Sequence, residues 1–179
     1  MQADGPGQRK LLATAASISS PTWSPDGTKI VFVAQRTRHD PSQLYTVDLA
    51  TERSRQLTKI LASGTGDFHP QWAPNGEQIL FTRATGSAIF PDDGPTVYTI
   101  PAHGGNPSPL ASNDYALGWS PSGAEILILD NYVDNGRSLT LSVISDKGTA
   151  KRRLVRLDRE LDGLRQSVPN WRTISAAAV

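Results

Sequence analysis

Pro21-Thr22-Trp23-Ser24-Pro25-Asp26-Gly27, followed by Lys29-Ile30-Val31-Phe32, recurs as Pro70-Gln71-Trp72-Ala73-Pro74-Asn75-Gly76 with Gln78-Ile79-Leu80-Phe81. A third copy reads Leu117-Gly118-Trp119-Ser120-Pro121-Ser122-Gly123 with Glu125-Ile126-Leu127-Ile128. A fourth keeps only Pro169-Asn170-Trp171. These are all the tryptophans of the 179-residue chain, spaced by 49, 47 and 52 residues. A fixed period of that size marks a repeat architecture, in which each unit cannot bury its hydrophobic faces alone.

The repeated segment has a local physical logic. Proline pre-sets φ at the first central position of a type I turn, Asp, Asn or Ser suits the second, and glycine takes the positive φ that closes a bulged hairpin. The apolar runs that follow, residues 30–33, 79–81 and 126–129, are short, branched and bounded by turn residues, as in strands buried on both faces. A polar loop leads to a third strand at 44–47, 97–100 or 139–144. A shorter fourth lies near 56–58, 109–110 or 153–155. Four antiparallel strands per repeat predict an all-β fold, a β-propeller of four-stranded blades.

The expected organisation is a single domain, 1–179. Its blades cover 20–58, 69–111 and 116–156, with partial strands at 9–12 and 169–174. Each tryptophan is expected on its blade's innermost strand, and Trp72 is expected to be buried between neighbouring blades. Leu154, Leu157, Leu161 and Leu164 also fit helical spacing, so residues 151–165 read as strand to about 155 and open beyond it.

On Pro-x-Trp-Ser-Pro-Asp-Gly, Ile-x-Phe and Leu-Tyr-x-x-Asp, residues 5–175 resemble the propeller repeats of the TolB family. Related repeats form the non-catalytic propeller of prolyl-oligopeptidase-like enzymes. The resemblance implies a protein-binding component of the periplasm, so an extracytoplasmic (periplasmic or secreted) location is expected on that ground alone. It also implies a six-bladed ring, whereas three repeats and two partial strands are encoded. Open blade edges therefore predict self-association as a homo-oligomer, or docking against another protein.

Net charge is +1, which gives no electrostatic case for nucleic acid or an anionic membrane. The chain has no cysteine, which excludes disulfides and thiolate metal sites. No apolar stretch nears the ~20 residues of a membrane helix, so no membrane insertion is expected. The N-terminal residues are polar, with no visible signal peptide.

Candidate chemistry is thin. Gly118-Trp119-Ser120-Pro121-Ser122-Gly123 approaches a nucleophile elbow, but Ser122 replaces its glycine, and Ala73 in the second repeat marks the Ser120 position as part of a turn. His39, His69 and His103 occupy three different places in the repeat, so no shared metal site is expected. Asp130-Asn131-Tyr132-Val133-Asp134-Asn135-Gly136 lacks the alternating oxygens and closing glutamate of a calcium loop. No catalytic residue, metal or cofactor is assigned.

One coincidence points to binding. Asp67 and Asp114 each lie five residues before a tryptophan, where the other repeats have Ile18 and Gln166. With Phe68, His69 and Tyr115 they are expected in the loops entering the innermost strands, forming a polar rim with aromatic anchors at the channel mouth. The alternative is that the aspartates bond to loop amides. The expected function is thus a non-enzymatic protein-binding or assembly scaffold. The alternatives are the propeller portion of a larger prolyl-oligopeptidase-like hydrolase, gating substrate access, and a metal-dependent propeller lyase.

Overall fold

The computed structural model describes residues 15–60, 64–85, 94–130 and 138–158, and every regular element among them is a strand. The first sheet is a meander of β1 (Ser17–Trp23), β2 (Lys29–Gln35), β3 (Gln43–Asp48) and β4 (Ser54–Gln56). The second runs β5 (Thr65–Trp72), β6 (Gln78–Thr85), β7 (Thr96–Pro101) and β8 (Ser108–Ser112). The third holds β9 (Asp114–Trp119), β10 (Glu125–Asp130), β11 (Ser138–Ser145) and β12 (Arg152–Asp158). All neighbouring strands are antiparallel, so each sheet is one four-stranded blade.

The tryptophan hairpins form as the turn residues dictate. Gly27, Gly76 and Gly123 take φ of 70°, 73° and 75°, where a side chain would be strained. Their amides donate to the carbonyls of Ser24, Ala73 and Ser120, each at 2.9 Å. In the first hairpin the Asp26 carboxylate accepts from the Ser24 hydroxyl, the Thr28 amide and the Thr28 hydroxyl. Those donors lower its pKa from 3.8 to about 2.

The inner strands start at Ser17, Thr65 and Asp114, two to four residues before the positions read from sequence. Each carries a bulge, between Ser19 and Thr22, between Phe68 and Gln71, and opposite the Leu127–Ile128 step. Ser20 and His69, equivalent positions in their repeats, hold left-handed φ values of 51° and 52° there. Pairing resumes beyond the bulge, which is why these strands are longer than the sequence pattern suggests.

Most of the core lies between sheets, and a smaller cluster of Phe32, Ala34 and Val47 with Ile30 and Tyr45 is buried on the Trp23 face of the first blade. Val31, Val33, Leu44 and Leu57 of the first blade pack with Ile79, Phe81 and Ile100 of the second. Leu80 and Val97, facing the other way, pack with Ala116, Ile126, Ile128 and Ile144 of the third. Phe32 stacks on its cross-strand partner Tyr45 with ring centroids 5.9 Å apart, and Phe81 on Tyr98 repeats this at 5.6 Å. Hydrogen bonds also cross between inner strands at equivalent positions. Thr22 Oγ1 donates to the Pro70 carbonyl at 3.2 Å, and Gln71 Nε2 to the Leu117 carbonyl at 2.6 Å.

Each tryptophan pairs across its hairpin with the first apolar residue of the next strand and shares its face. Trp72 therefore joins the cluster against the first blade, and Trp119 the cluster against the second. Both are partly buried, so Trp72 is less enclosed than expected: it sits at the margin of the inter-blade core. Trp23 faces away from the second blade and is 63% exposed. The exposed large hydrophobics among the described residues are Ile18, Trp23, Leu154 and Val155, all on the first and third blades. The partial strands expected at 9–12 and 169–174, and Trp171, lie outside the described residues. Residues 152–158 are strand, so helical spacing does not decide that part of the 151–165 segment.

Candidate functional site

Asp67 and Asp114 lie within inner strands, not in loops before them, and are 0% and 2% exposed. The bulge is the reason. Counting back from Trp72 in strict alternation would turn Asp67 away from the first blade. The inserted residue flips the alternation, so Asp67 pairs with Arg83 on the face shared with Phe81.

Arg83 Nε and Nη2 donate to the two Asp67 oxygens at 2.7 and 3.0 Å, and the guanidinium lies over the Phe81 and Tyr98 rings, 5.6 and 5.1 Å from their centroids. Thr58, from the segment joining the first two blades, also bonds the carboxylate, and its hydroxyl accepts from the Leu44 amide. The Asp67 amide donates to the Ser42 carbonyl at 2.8 Å. Asp67 is thus the meeting point of two blades. Burial pushes its pKa up, against the pull of Arg83 and Thr58.

Asp114 is the cross-strand partner of Asp130, and Lys151 Nζ sits 3.0 Å from both Asp114 oxygens and 3.5 Å from Asp130. Burial raises the Asp114 pKa, Lys151 opposes this, and the neighbouring Asp130 charge adds to the rise. In the first blade the same register position is the apolar pair Ile18 and Ala34. One place in the blade therefore has three chemistries: apolar, Asp–Arg, and a lysine-bridged Asp–Asp pair. Neither aspartate relies on loop amides to hold its carboxylate.

Of the other expected rim residues, Phe68 is half-buried and its ring folds over Gly66, where an added Cβ would lie 2.6 Å from Cζ. Only glycine admits the ring at that distance. His69 is exposed at the bulge. Tyr115 is half-buried beside Asp114. Of the expected rim residues, therefore, His69 is exposed, Phe68 and Tyr115 are half-buried with the Tyr115 hydroxyl turned inward, and the two aspartates are buried.

The other candidates serve local structure. The Ser120 hydroxyl accepts from the Glu125 amide at 3.0 Å, as the Ser24 hydroxyl accepts from the Lys29 amide at 2.9 Å, so both close their turns. Among the described residues no three His, Cys, Asp or Glu side chains are grouped to hold a metal. Residues 131–136 of the aspartate-rich loop lie outside the described residues. What sequence reading missed is the partner set: Arg83, Thr58 and Lys151. Only the hairpin register, counted through the bulge, places Arg83 beside Asp67.

Comparison with known proteins fits this architecture. Residues 3–155 match the TolB beta propeller domain. The Tol-Pal system protein TolB of Coxiella burnetii (strain RSA 493 / Nine Mile phase I) is 42% identical over 57 residues, 32% of this chain and 13% of that protein. The crystal structure of TolB from Acinetobacter baumannii superposes with a TM-score of 0.64 at 22% identity, over 85% of this chain and 35% of that one. A structure from an analysis of two prolyl endopeptidases gives 0.60 at 13% identity, over 79% of this chain and 22% of that one. The chain thus spans about a third of the solved TolB and a smaller share of the other two. With three consecutive four-stranded blades and a family match across most of its length, the chain belongs to the TolB beta propeller domain family.

Proposed function

We propose that this chain is a non-enzymatic, extracytoplasmic protein-binding scaffold that assembles through its outer blade faces. The carrying observation is the contrast among equivalent tryptophans: Trp72 and Trp119 are packed against a preceding blade, and Trp23 is 63% exposed on the face where a preceding blade would stand. An exposed anchor of that kind, with Ile18 on the same face at 49% exposure, suits an interface more than a solvent face. The occupant is another blade face, most simply that of a second copy. The inner-strand residues Phe68, His69 and Tyr115 offer a second protein-binding surface. The compartment rests on likeness to a Tol-Pal system protein.

Sedimentation velocity of the wild type and Trp23→Glu tests the assembly reading. Association that Trp23→Glu abolishes is expected; association unaffected by it would overturn the reading. A second reading, the propeller portion of a larger hydrolase, draws on the fold likeness to prolyl endopeptidases. It predicts binding to a catalytic domain in place of self-association.

A further inference from the structure

The first and second blades are separated, on the side of the tryptophan hairpins, by a cleft of about 800 Å³. That is the size range of sites that hold small ligands or short peptide segments, roughly 300–1,000 Å³. We propose that this cleft binds an extended acidic peptide segment carrying apolar side chains between its carboxylates.

The cleft has an apolar part and a charged rim, with Lys29, Arg53 and Arg55 alongside Asp26, Asp48 and Glu77. Trp72, Pro25, Pro101 and Ala102 line it. Arg53 and Arg55, from the β3–β4 hairpin and β4, also line it, are exposed, and make no ion pair with any described residue. The Arg55 guanidinium lies over Gly104, where an added Cβ would lie 3.1 Å from Nη2. Lys29 is set against the Asp26 and Asp48 charges, which leaves the two arginines, among the described residues of the cleft, as the cations free to meet a ligand.

The carboxylates in the same cleft keep their charge, but their oxygens are bonded within their own turns. Asp26 is capped by Ser24 and Thr28, and Asp48 by the Ala50 and Thr51 amides and the Thr51 hydroxyl. Glu77 accepts from the Asn75 side chain at 3.0 Å. Hydrogen bonding in these turns lowers the pKa of both aspartates, so they stay ionised as turn caps. The arginines, in contrast, have donors in fixed fork geometry and no acceptor, the arrangement that recognises a carboxylate bidentately. Trp72, lining the same cleft, supplies an aromatic surface for an apolar side chain. This cleft lies on the opposite face of the first blade from Trp23, so the proposal is independent of self-association.

The test is a titration of the ¹⁵N-labelled chain with an acetylated, amidated octapeptide of alternating Asp and Leu, read at the Trp72 indole and Gly104 amide resonances. Saturable shifts at both are expected, weakening with salt, and lost by at least about tenfold in affinity in the Arg53→Glu/Arg55→Glu variant, the change expected for ~1.4 kcal/mol of binding energy. An intact Trp119 indole resonance reports that the variant folds; if it does not, Arg55→Ala is read in its place. Four results would overturn the proposal: no shift at millimolar peptide, equal binding of the Asn-for-Asp peptide, undiminished binding by the arginine variant, or the same shifts from acetate alone.

Discussion

Arg83 and Asp67 face each other across β6 and β5, joined by hydrogen bonds of 2.7 and 3.0 Å at a position where the first blade places Ala34 against Ile18. The chain therefore contains its own control for this ion pair. Removing one member leaves the other without its partner, whereas replacing both with packed apolar groups is often neutral or better. Asp67→Ala strips the acceptor from Arg83 and Thr58 and should destabilise the fold by about 3 kcal/mol, the lower end for a buried pair because Arg83 is partly exposed. Asp67→Ile/Arg83→Ala, which copies the first blade, should lose less than Asp67→Ala alone. Urea unfolding of Asp67→Ile, Arg83→Ala and the double variant beside the wild type closes a double-mutant cycle, and additive losses would contradict the coupling.

The inner strands are latched by equivalent side chains, Thr22 to the Pro70 carbonyl and Gln71 to the Leu117 carbonyl. At the third such position stands Gly118, where an added Cβ would lie 3.0 Å from the Gln71 side-chain oxygen. Gln71→Ala should cost about 1 kcal/mol, the net value of one hydrogen bond. Gly118→Ala should also destabilise, by crowding Gln71. Denaturant midpoints measure both.

Asp26 links the first hairpin to pH. Its folded pKa lies below its unfolded value, so it contributes stability above about pH 4, and this is lost as pH falls toward 2. Asn75 fills the same place in the second blade with an uncharged acceptor. The stability difference between wild type and Asp26→Asn should stay constant from pH 7 to about 4.5 and shrink below it. Urea midpoints for both proteins across that range give the profile.

The tryptophans should rank by the blade they face. Trp72→Ala removes a partly buried indole from the first inter-blade cluster and should cost about 3 kcal/mol, the lower end for a large buried aromatic. Trp23→Ala should cost under about 1 kcal/mol in the dissociated chain, because its indole is largely exposed. Thermal unfolding in dilute solution distinguishes the two.

The blades were legible because their signals are local: proline, an Asp-type residue and glycine specify each turn, and the apolar run after it specifies a strand buried on both faces. The aspartates were not. Their direction depends on separate bulges in β5 and β9, and the left-handed residue of the first is His69, with no glycine to announce it. Their partners lie 16 and 37 residues away, at Arg83 and Lys151. Tryptophan burial was half legible. The repeat marks the three residues as equivalent, but each faces the preceding blade, so equivalent sequence gives different exposure at Trp23.

The most direct test is the mass of the purified chain by light scattering at micromolar concentration. If Trp23 and the outer blade faces form an interface, the measured mass should be about twice the 19.3 kDa of one chain or a higher multiple, falling toward 19.3 kDa in Trp23→Glu. A cooperative, well-folded monomer of 19.3 kDa with an exposed Trp23 would contradict the account.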